Sequence, residues 1–399
     1  MNPRVLHLST TGDGGGGAGR AAHALHSAMI KHGVPSEFVT AHGTRYKWAS
    51  WADRQTWKLQ QSPVKTWRSP AIFGSLSARF INEHPADVVN LHWVTDGFLS
   101  VETIGSIEKP IVWSLYDMWP FCGTEHYGVD TPGARWRIGY TRSNRPADEH
   151  GMDLDRRTWH KKREHWRPSH VITASSWLES RVEESSLMGT WPITRIPHVI
   201  DCDVFIPSDQ SIARRNLGIT FDDPLILFLS SAGISDARKG FDLLERALAA
   251  VKFAVPNVQV MVVGPATPSI THAGGVPVHW HGTTASNEVL RDLYSAANVT
   301  VVPSREDNMP LTAMEAQSCA RPVVAFRIGG LVDIVDHNTT GYLAEEGNPQ
   351  DLAQGLIYAL DSQTRSGHWG ENARVRAVSA WSSSTVVTQY LDVYRAALN

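Results

Sequence analysis

The sequence has little cysteine. Cys122, Cys202 and Cys319 are the only three in 399 residues, too few and too scattered for a disulfide framework or a cysteine-rich zinc site. Their scarcity favours a reducing compartment. Charge of one sign is also in short supply, since 37 Lys and Arg stand against 40 Asp and Glu for a net −3. That balance excludes the broadly basic footprint of a nucleic-acid binder. No apolar run approaches the roughly 20 residues of a membrane span. The first residues, Met1-Asn2-Pro3-Arg4-Val5-Leu6-His7-Leu8, run straight into an apolar strand pattern without a hydrophobic leader region or cleavage site. The expected location is the cytoplasm.

What is present is a long alternation of short apolar strands and helical patterns. The first series is Val5–Ser9, Ser36–Thr40, Val88–His92, Ile111–Ser114, Val171–Ala174 and Ile193–Ile196. The second is Leu225–Leu229, Gln259–Val263, Val299–Val302 and Val323–Ala325. Alternation of this kind predicts parallel sheets covered by helices on both faces, and two series in 399 residues predict two domains. The expected division is 1–200, 201–380 and a last helix, 381–399, that crosses back to the first domain, with a hinge near Pro197–Pro207. Ligands in such folds bind outside the carboxyl ends of the strands.

The stretch Arg305-Glu306-Asp307-Asn308-Met309-Pro310-Leu311-Thr312-Ala313-Met314-Glu315-Ala316 follows one of these strands and opens a helix. A strand-loop-helix unit aims free backbone N–H groups and a positive dipole end out of the sheet, which suits an anionic diphosphate. Acids beside a phosphate are repelled by it, so their fitting partners are neutral hydroxyls, as on a sugar or ribose. Solvated helix-cap acids are the plainer reading of the same residues. A second loop, Thr11-Gly12-Asp13-Gly14-Gly15-Gly16-Gly17-Ala18-Gly19-Arg20, follows the first strand. Gly12, Gly14 and Gly17 satisfy G-x-G-x-x-G, yet the second strand ends in Thr40 where a dinucleotide-binding domain wants an acid, and Arg20-Ala21 does not complete a P-loop. The loop either lets backbone approach a ligand or simply makes a tight turn. Asp153-Leu154-Asp155 imitates a metal-binding D-x-D, but its polar setting among His150, Arg156, Arg157 and Lys161 reads as a solvated segment.

In order and spacing, Arg238-Lys239-Gly240 after its strand, Val262-Val263-Gly264-Pro265, Asp307 with Glu315, and Gly329-Gly330 resemble the C-terminal half of family 4 retaining glycosyltransferases. Asn90-Leu91-His92-Trp93-Val94 and Ser114-Leu115-Tyr116-Asp117-Met118-Trp119-Pro120-Phe121 resemble the bacterial exopolysaccharide and colanic-acid-type branch. The resemblance implies the α/β GT-B fold, two Rossmann-like domains with parallel sheets facing across a cleft. It also implies transfer of a sugar from a nucleoside-diphosphate sugar to a glycan or lipid-linked acceptor, with no metal or other cofactor. Asp117, Lys239 and Asp307 take the catalytic positions. Arg238, Lys239, Glu306, Asp307, Asn308, Met309, Pro310, Leu311, Thr312 and Glu315 would bind the donor, with Glu315 on the ribose. Gly14, Gly15, Gly16 and Gly17 would form the phosphate and acceptor loop, and Tyr116 and His126 would lie on the acceptor side. Three positions depart from the family pattern: Tyr116 stands where a His is usual, Gly233 where an Arg is usual, and Asp307 where a Glu is usual. Arg238 is the candidate to supply the missing cation.

Two stretches are locally basic and rich in tryptophan. Residues 45–68 hold Arg45, Lys47, Arg54, Lys58, Lys65 and Arg68 with Trp48, Trp51, Trp57 and Trp67. This composition fits peripheral contact with the inner membrane surface, or packing on the domain. Residues 135–167 carry Trp136, Trp159 and Trp166, to read a phosphorylated or lipid-linked acceptor or merely to pack. No nucleic-acid recognition motif accompanies either. Two other functions fit parts of the pattern: a binding protein that recognises sugar nucleotide without turnover, and an NAD-dependent sugar dehydrogenase or epimerase.

Overall fold

The structure, a computed structural model, describes residues 2–63, 67–267, 269–361 and 368–399. Lys65 of the basic stretch lies outside them. The chain forms two compact units, one running to Ile196 and completed by Val387–Asn399, the other being Pro197–Val386.

The first unit is built on a parallel sheet in the order Ser36–Thr40, Val5–Ser9, Val88–Leu91, Ile111–Leu115, His170–Thr173, Ile193–Arg195. Val5 pairs with Ser36 on one side and Val88 on the other, so the chain winds outward once and then reverses across its first strand. The reversal makes a switch point at the carboxyl ends of Val5–Ser9 and Val88–Leu91, where a doubly wound sheet leaves a crevice. The sheet's central strands are buried along their whole length, as apolar β-branched runs covered on both faces require. Residues of the final helix, Ser383–Leu398, complete this unit: the Tyr394 hydroxyl donates to Asn90 Oδ1 at 2.6 Å, and Tyr390 Oη lies 3.1 Å from Ser114 Oγ.

The second unit has a sheet in the order His272–Ala273, Val276–Gly282, Gln259–Val263, Leu225–Leu229, Val299–Val302, Val323–Phe326, Gly341–Ala344. All neighbours are parallel except the hairpin formed by His272–Ala273 and Val276–Gly282. Here the switch point falls between Leu225–Leu229 and Val299–Val302, so the loops after these strands, with Arg238-Lys239 and Glu306-Asp307, meet at one place. Val276–Gly282 and Gly341–Ala344 are strands that the apolar-run pattern does not show. The former contains Pro277 and two histidines and is only half-buried; the latter is a four-residue edge strand.

Residues 116–168 have no place in the first unit's main sheet except as its connection, and polar burial holds them instead. The helix Leu154–His165 is densely charged, yet Leu154, Asp155, Thr158, Trp159 and Lys162 form its buried face. Lys162 is 0% exposed. Its ammonium donates to the carbonyls of Trp119, Cys122 and Gly123 and lies 3.8 Å from the centroid of the Trp119 ring. Burial lowers its pKa to about 7, against the upward pull of Cys122, Glu125, Asp117 and Asp155. Asp155 is 1% exposed and accepts from Arg68 Nη1, Gln60 Nε2 and the Thr124 hydroxyl. Asp153 caps the helix through the Arg156 N–H and pairs with Arg135 at 2.8 Å. The reading of these acids as solvated is therefore corrected: the helix turns both inward, where buried cations and amides hold them. Trp136, Trp159 and Trp166 are likewise packed inside. Burial, with Asp155 adding to it, pushes Glu125 up to about 8, while Arg68 pulls it down.

Replacing Lys162 with Met keeps the volume and deletes the donors to three buried carbonyls. Each unpaired buried acceptor costs about 1–3 kcal/mol before relaxation. Lys162→Met is expected to lower stability by about 2–4 kcal/mol in urea unfolding, with an unchanged m-value; a loss under about 0.5 kcal/mol would show that the cage does not hold the turn.

Candidate functional site

In the second unit, two glycines let the loops after the strands close on each other. Gly240 has φ +67°, and a Cβ there would stand 2.0 Å from the Pro303 carbonyl oxygen. Gly329 has φ +49°, and a Cβ would lie 1.9 Å from the Asp307 carbonyl oxygen. Neither space nor backbone conformation admits another residue. Arg305 N–H donates to the Arg238 carbonyl at 2.7 Å and Gly330 N–H to the Asp307 carbonyl at 3.2 Å, so the acid loop is held from both sides.

Within that frame the Lys239 ammonium donates to Asp307 Oδ2 at 2.6 Å, and the Ser304 hydroxyl donates to the same oxygen at 3.1 Å. His198 also senses Asp307: burial lowers its pKa to about 4, against the upward pull of that carboxylate. Glu306 is pushed up to about 7, chiefly by burial, with Arg238 lowering it and Asp307 raising it. Arg238 folds back onto Asp236, which accepts its Nη2 at 2.9 Å and its backbone N–H at 3.1 Å. Asn308, Met309, Pro310 and Leu311 are buried, whereas Thr312 is half-exposed. Pro310 caps the helix Leu311–Ser318 without a side-chain acceptor, and no acid stands in its first turn. Such an end offers N–H groups to an anion. Glu315, 2% exposed, accepts from the Tyr294 hydroxyl at 2.7 Å, which orients its carboxylate. Gly233, at φ +80°, lies against Pro265 and carries no charge.

In the first unit, the glycine loop sits at the switch point. Gly15 N–H closes a turn onto the Gly12 carbonyl at 3.0 Å, and Thr11 Oγ1 donates to the Gly15 carbonyl at 2.9 Å. Gly14, Gly16 and Gly17 face open space, with no atom within 4 Å of where a Cβ would stand. The helix Gly16–Lys31 begins there, also without an acid in its first turn. Thr10 N–H donates to the Trp93 carbonyl at 2.7 Å, which joins this loop to the next strand's end.

Trp93 leads on to Asp117. The Asp117 carboxylate accepts from Trp93 Nε1 at 3.0 Å, Trp119 N–H at 3.0 Å and His126 Nδ1 at 2.6 Å. His126 Nε2 in turn lies 2.8 Å from Ser69 Oγ. The ring thus bridges the Ser69 hydroxyl and the Asp117 carboxylate, and this buried Ser69–His126–Asp117 string fixes the carboxylate. Tyr116 begins a separate string: its hydroxyl lies 3.0 Å from His92 Nδ1, and His92 Nε2 lies 2.9 Å from His7 Nδ1. Burial pushes the Tyr116 phenol well above its ordinary pKa and His7 well below its own, so both are neutral at pH 7. Among the described residues, no group of three or more His, Cys, Asp or Glu is placed to hold a metal ion.

The structure thus gathers Lys239, Glu306, Asp307 and the start of Leu311–Ser318 in one unit, and Gly14–Gly17, Tyr116, Asp117 and His126 near strand ends of the other. Sequence reasoning missed Ser304, His198 and Tyr294 in the second unit and Ser69 and Trp93 as partners in the first. Trp93 lies inside a motif already singled out and Ser304 stands three residues before Asp307; the others are joined across 21 to 109 residues in sequence, Tyr294 to Glu315, Ser69 to His126 and His198 to Asp307, without a local pattern. What the arrangement can do chemically is bind an anionic, hydroxyl-bearing ligand: backbone N–H groups and an ammonium for phosphate oxygens, oriented carboxylates for hydroxyls.

Residues 223–362, all in the second unit, match the family model described as Glycosyl transferases group 1. Over 215 residues the chain is 32% identical to D-inositol 3-phosphate glycosyltransferase 2 of Catenulispora acidiphila, spanning 49% of this chain and 48% of that relative. It is 28% identical over 356 residues to D-inositol 3-phosphate glycosyltransferase of Nocardiopsis dassonvillei, spanning 85% and 77%. The chain therefore spans about half the length of the first relative. The solved structure of Anabaena Alr3699/HepE in complex with UDP and glucose is similar with a TM-score of 0.65 at 17% identity, over 98% of this chain and 99% of that one. At that identity the likeness is one of fold. The second unit carries a group 1 glycosyltransferase segment, and the chain has the α/β GT-B fold.

Proposed function

We propose that the chain is a family 4 retaining glycosyltransferase that moves a sugar from a nucleoside-diphosphate sugar to a glycan or lipid-linked acceptor in bacterial surface or exopolysaccharide biosynthesis. The observation that carries the reading is the Lys239–Asp307 pair at the switch point, beside a helix start free of acids. Lys239 and the N–H groups of that helix would take the diphosphate, Asp307 the sugar hydroxyls and Glu315 the ribose. In the reaction the bond between the anomeric carbon and the diphosphate oxygen breaks, and the acceptor oxygen bonds on the same face. The acceptor's proton passes to the departing phosphate. Negative charge grows on that leaving group, where a preplaced ammonium and backbone dipoles contribute most. Asp117, fixed by three donors, serves the acceptor side as a set negative charge.

The Anabaena structure holds UDP, which favours a uridine diphosphate sugar as donor. The names of the relatives favour a second reading of the acceptor, a phosphorylated cyclitol in place of a glycan or lipid-linked saccharide. A lipid-linked acceptor would set the enzyme at the cytoplasmic membrane face. A binder without turnover remains the competing class, kept by Tyr116, Gly233 and Asp307; release of UDP from UDP-glucose with an acceptor present separates it from an enzyme.

UDP binding only the native state is expected to raise the melting temperature, by the equivalent of about 2.7 kcal/mol at a hundredfold excess over Kd, and Glu315→Ala is expected to lose most of this shift. A shift with NAD and none with any nucleoside diphosphate would point to an oxidoreductase instead.

A pH dependence follows from Glu306. Its carboxyl is neutral below about 7 and charged above, so a bound diphosphate meets an added negative charge as pH rises. Affinity for UDP-glucose, whose own charge is constant near neutrality, is expected to fall roughly five-fold, about 1 kcal/mol, across that transition. Calorimetry on Glu306→Gln should show a flat profile; an unchanged slope would assign the titration elsewhere.

A further inference from the structure

The helix Gly43–Trp57 has two unlike faces. Ala49, Ser50, Ala52 and Asp53 are buried, and Asp53, the helix's sole acid, turns inward to accept the N–H groups of Ala71 at 3.1 Å and Ile72 at 2.9 Å. The opposite face presents Lys47, Trp48, Trp51 and, one residue past the end, Lys58. Trp48 is 57% exposed and Trp51 is 60% exposed. Arg54 on this face is already paired with Asp96 at 2.9 Å and lies 5.0 Å from the ring of Trp67, itself exposed. Arg45 and Lys47 make no ion pair among the described residues.

Three buried indoles of the unit find acceptors, Trp119 donating to the Ser69 carbonyl, Trp136 to Val129 and Trp166 to Val101, while the Trp159 N–H is buried without one. Trp48 and Trp51 make no hydrogen bond among the described residues, so each offers water a large apolar ring and an unmatched N–H. An apolar body with a polar edge is satisfied at the boundary between lipid chains and headgroups. A face with cations and no carboxylate selects an anionic surface. The patch also joins the acceptor-side residues: Trp67 stands two residues before Ser69, which bonds His126.

We infer that the outward face of helix Gly43–Trp57, with Trp67, docks on the anionic surface of a lipid bilayer through Trp48, Trp51, Arg45, Lys47 and Lys58. The inference rests on the lipid-linked acceptor proposed above and gives the contact a place and a lipid chemistry. No helix of the described residues is long and apolar enough to cross a membrane, so such a substrate would be met from the surface.

The test is co-sedimentation of the full chain with vesicles of phosphatidylcholine alone and of phosphatidylcholine with about one third phosphatidylglycerol. The wild type is expected to bind only the anionic vesicles, and less as salt is raised. Trp48→Ser with Trp51→Ser, and separately Lys47→Glu, are expected to weaken binding roughly ten-fold or more. Both variants should keep the wild-type melting temperature and UDP shift, since these side chains lie outside the core and the site. No binding to either vesicle, equal binding by the variants, or self-association of the wild type that the tryptophan variants abolish would each overturn the inference. A wild type that shifts with UDP yet ignores vesicles leaves the transfer reading intact, whereas anionic binding without any UDP shift would sink that reading alone.

Discussion

The arrangement of the second unit depends on one tight contact set, the closure of the acid loop after Val299–Val302 against its neighbours. Gly240 admits the Pro303 carbonyl, Gly329 admits the Asp307 carbonyl, and the Arg305 N–H reaches the Arg238 carbonyl. Only once backbone has closed this far can the Lys239 ammonium reach the Asp307 carboxylate, 68 residues on. The same closure aims the start of Leu311–Ser318 out of the sheet. A side chain at either glycine would hold the loops apart and separate the charges.

The first unit solves a different problem. Its strands supply a parallel sheet, but the long connection from Tyr116 to the strand His170–Thr173 makes few ladder bonds. Buried charge takes their place. Lys162 gathers three carbonyls of one turn, and Asp155 gathers Arg68, Gln60 and Thr124. Burying ions is costly unless every donor and acceptor is matched, so these groups specify one conformation rather than add much net stability. What they specify is the position of the Trp119–His126 segment, which carries two of the groups around Asp117.

Much of the fold was legible. Val5–Ser9, Leu225–Leu229, Gln259–Val263 and Val299–Val302 have the bounds that apolar β-branched runs predict, because strands buried on both faces have no other way to be written. Val276–Gly282 was not legible, since a half-buried strand near the edge tolerates Pro277 and histidine. The site was legible in its local part: the acids of the Glu306–Glu315 segment stand where their spacing put them, at a strand end and on a helix. Partners were not. Nothing near Glu315 in sequence announces Tyr294, and nothing near His126 announces Ser69. Asp155 was misjudged because its neighbours in sequence are charged, while its neighbours in space are a buried guanidinium and an amide.

The central claim is that the second unit's switch point holds a nucleoside diphosphate. A crystal structure of the chain with UDP tests it most directly. The account predicts the diphosphate within hydrogen-bonding distance of Lys239 Nζ and the first N–H groups of Leu311–Ser318, with the ribose on Glu315. Ordered UDP bound elsewhere in the chain, or no UDP bound at saturating concentration, would contradict it.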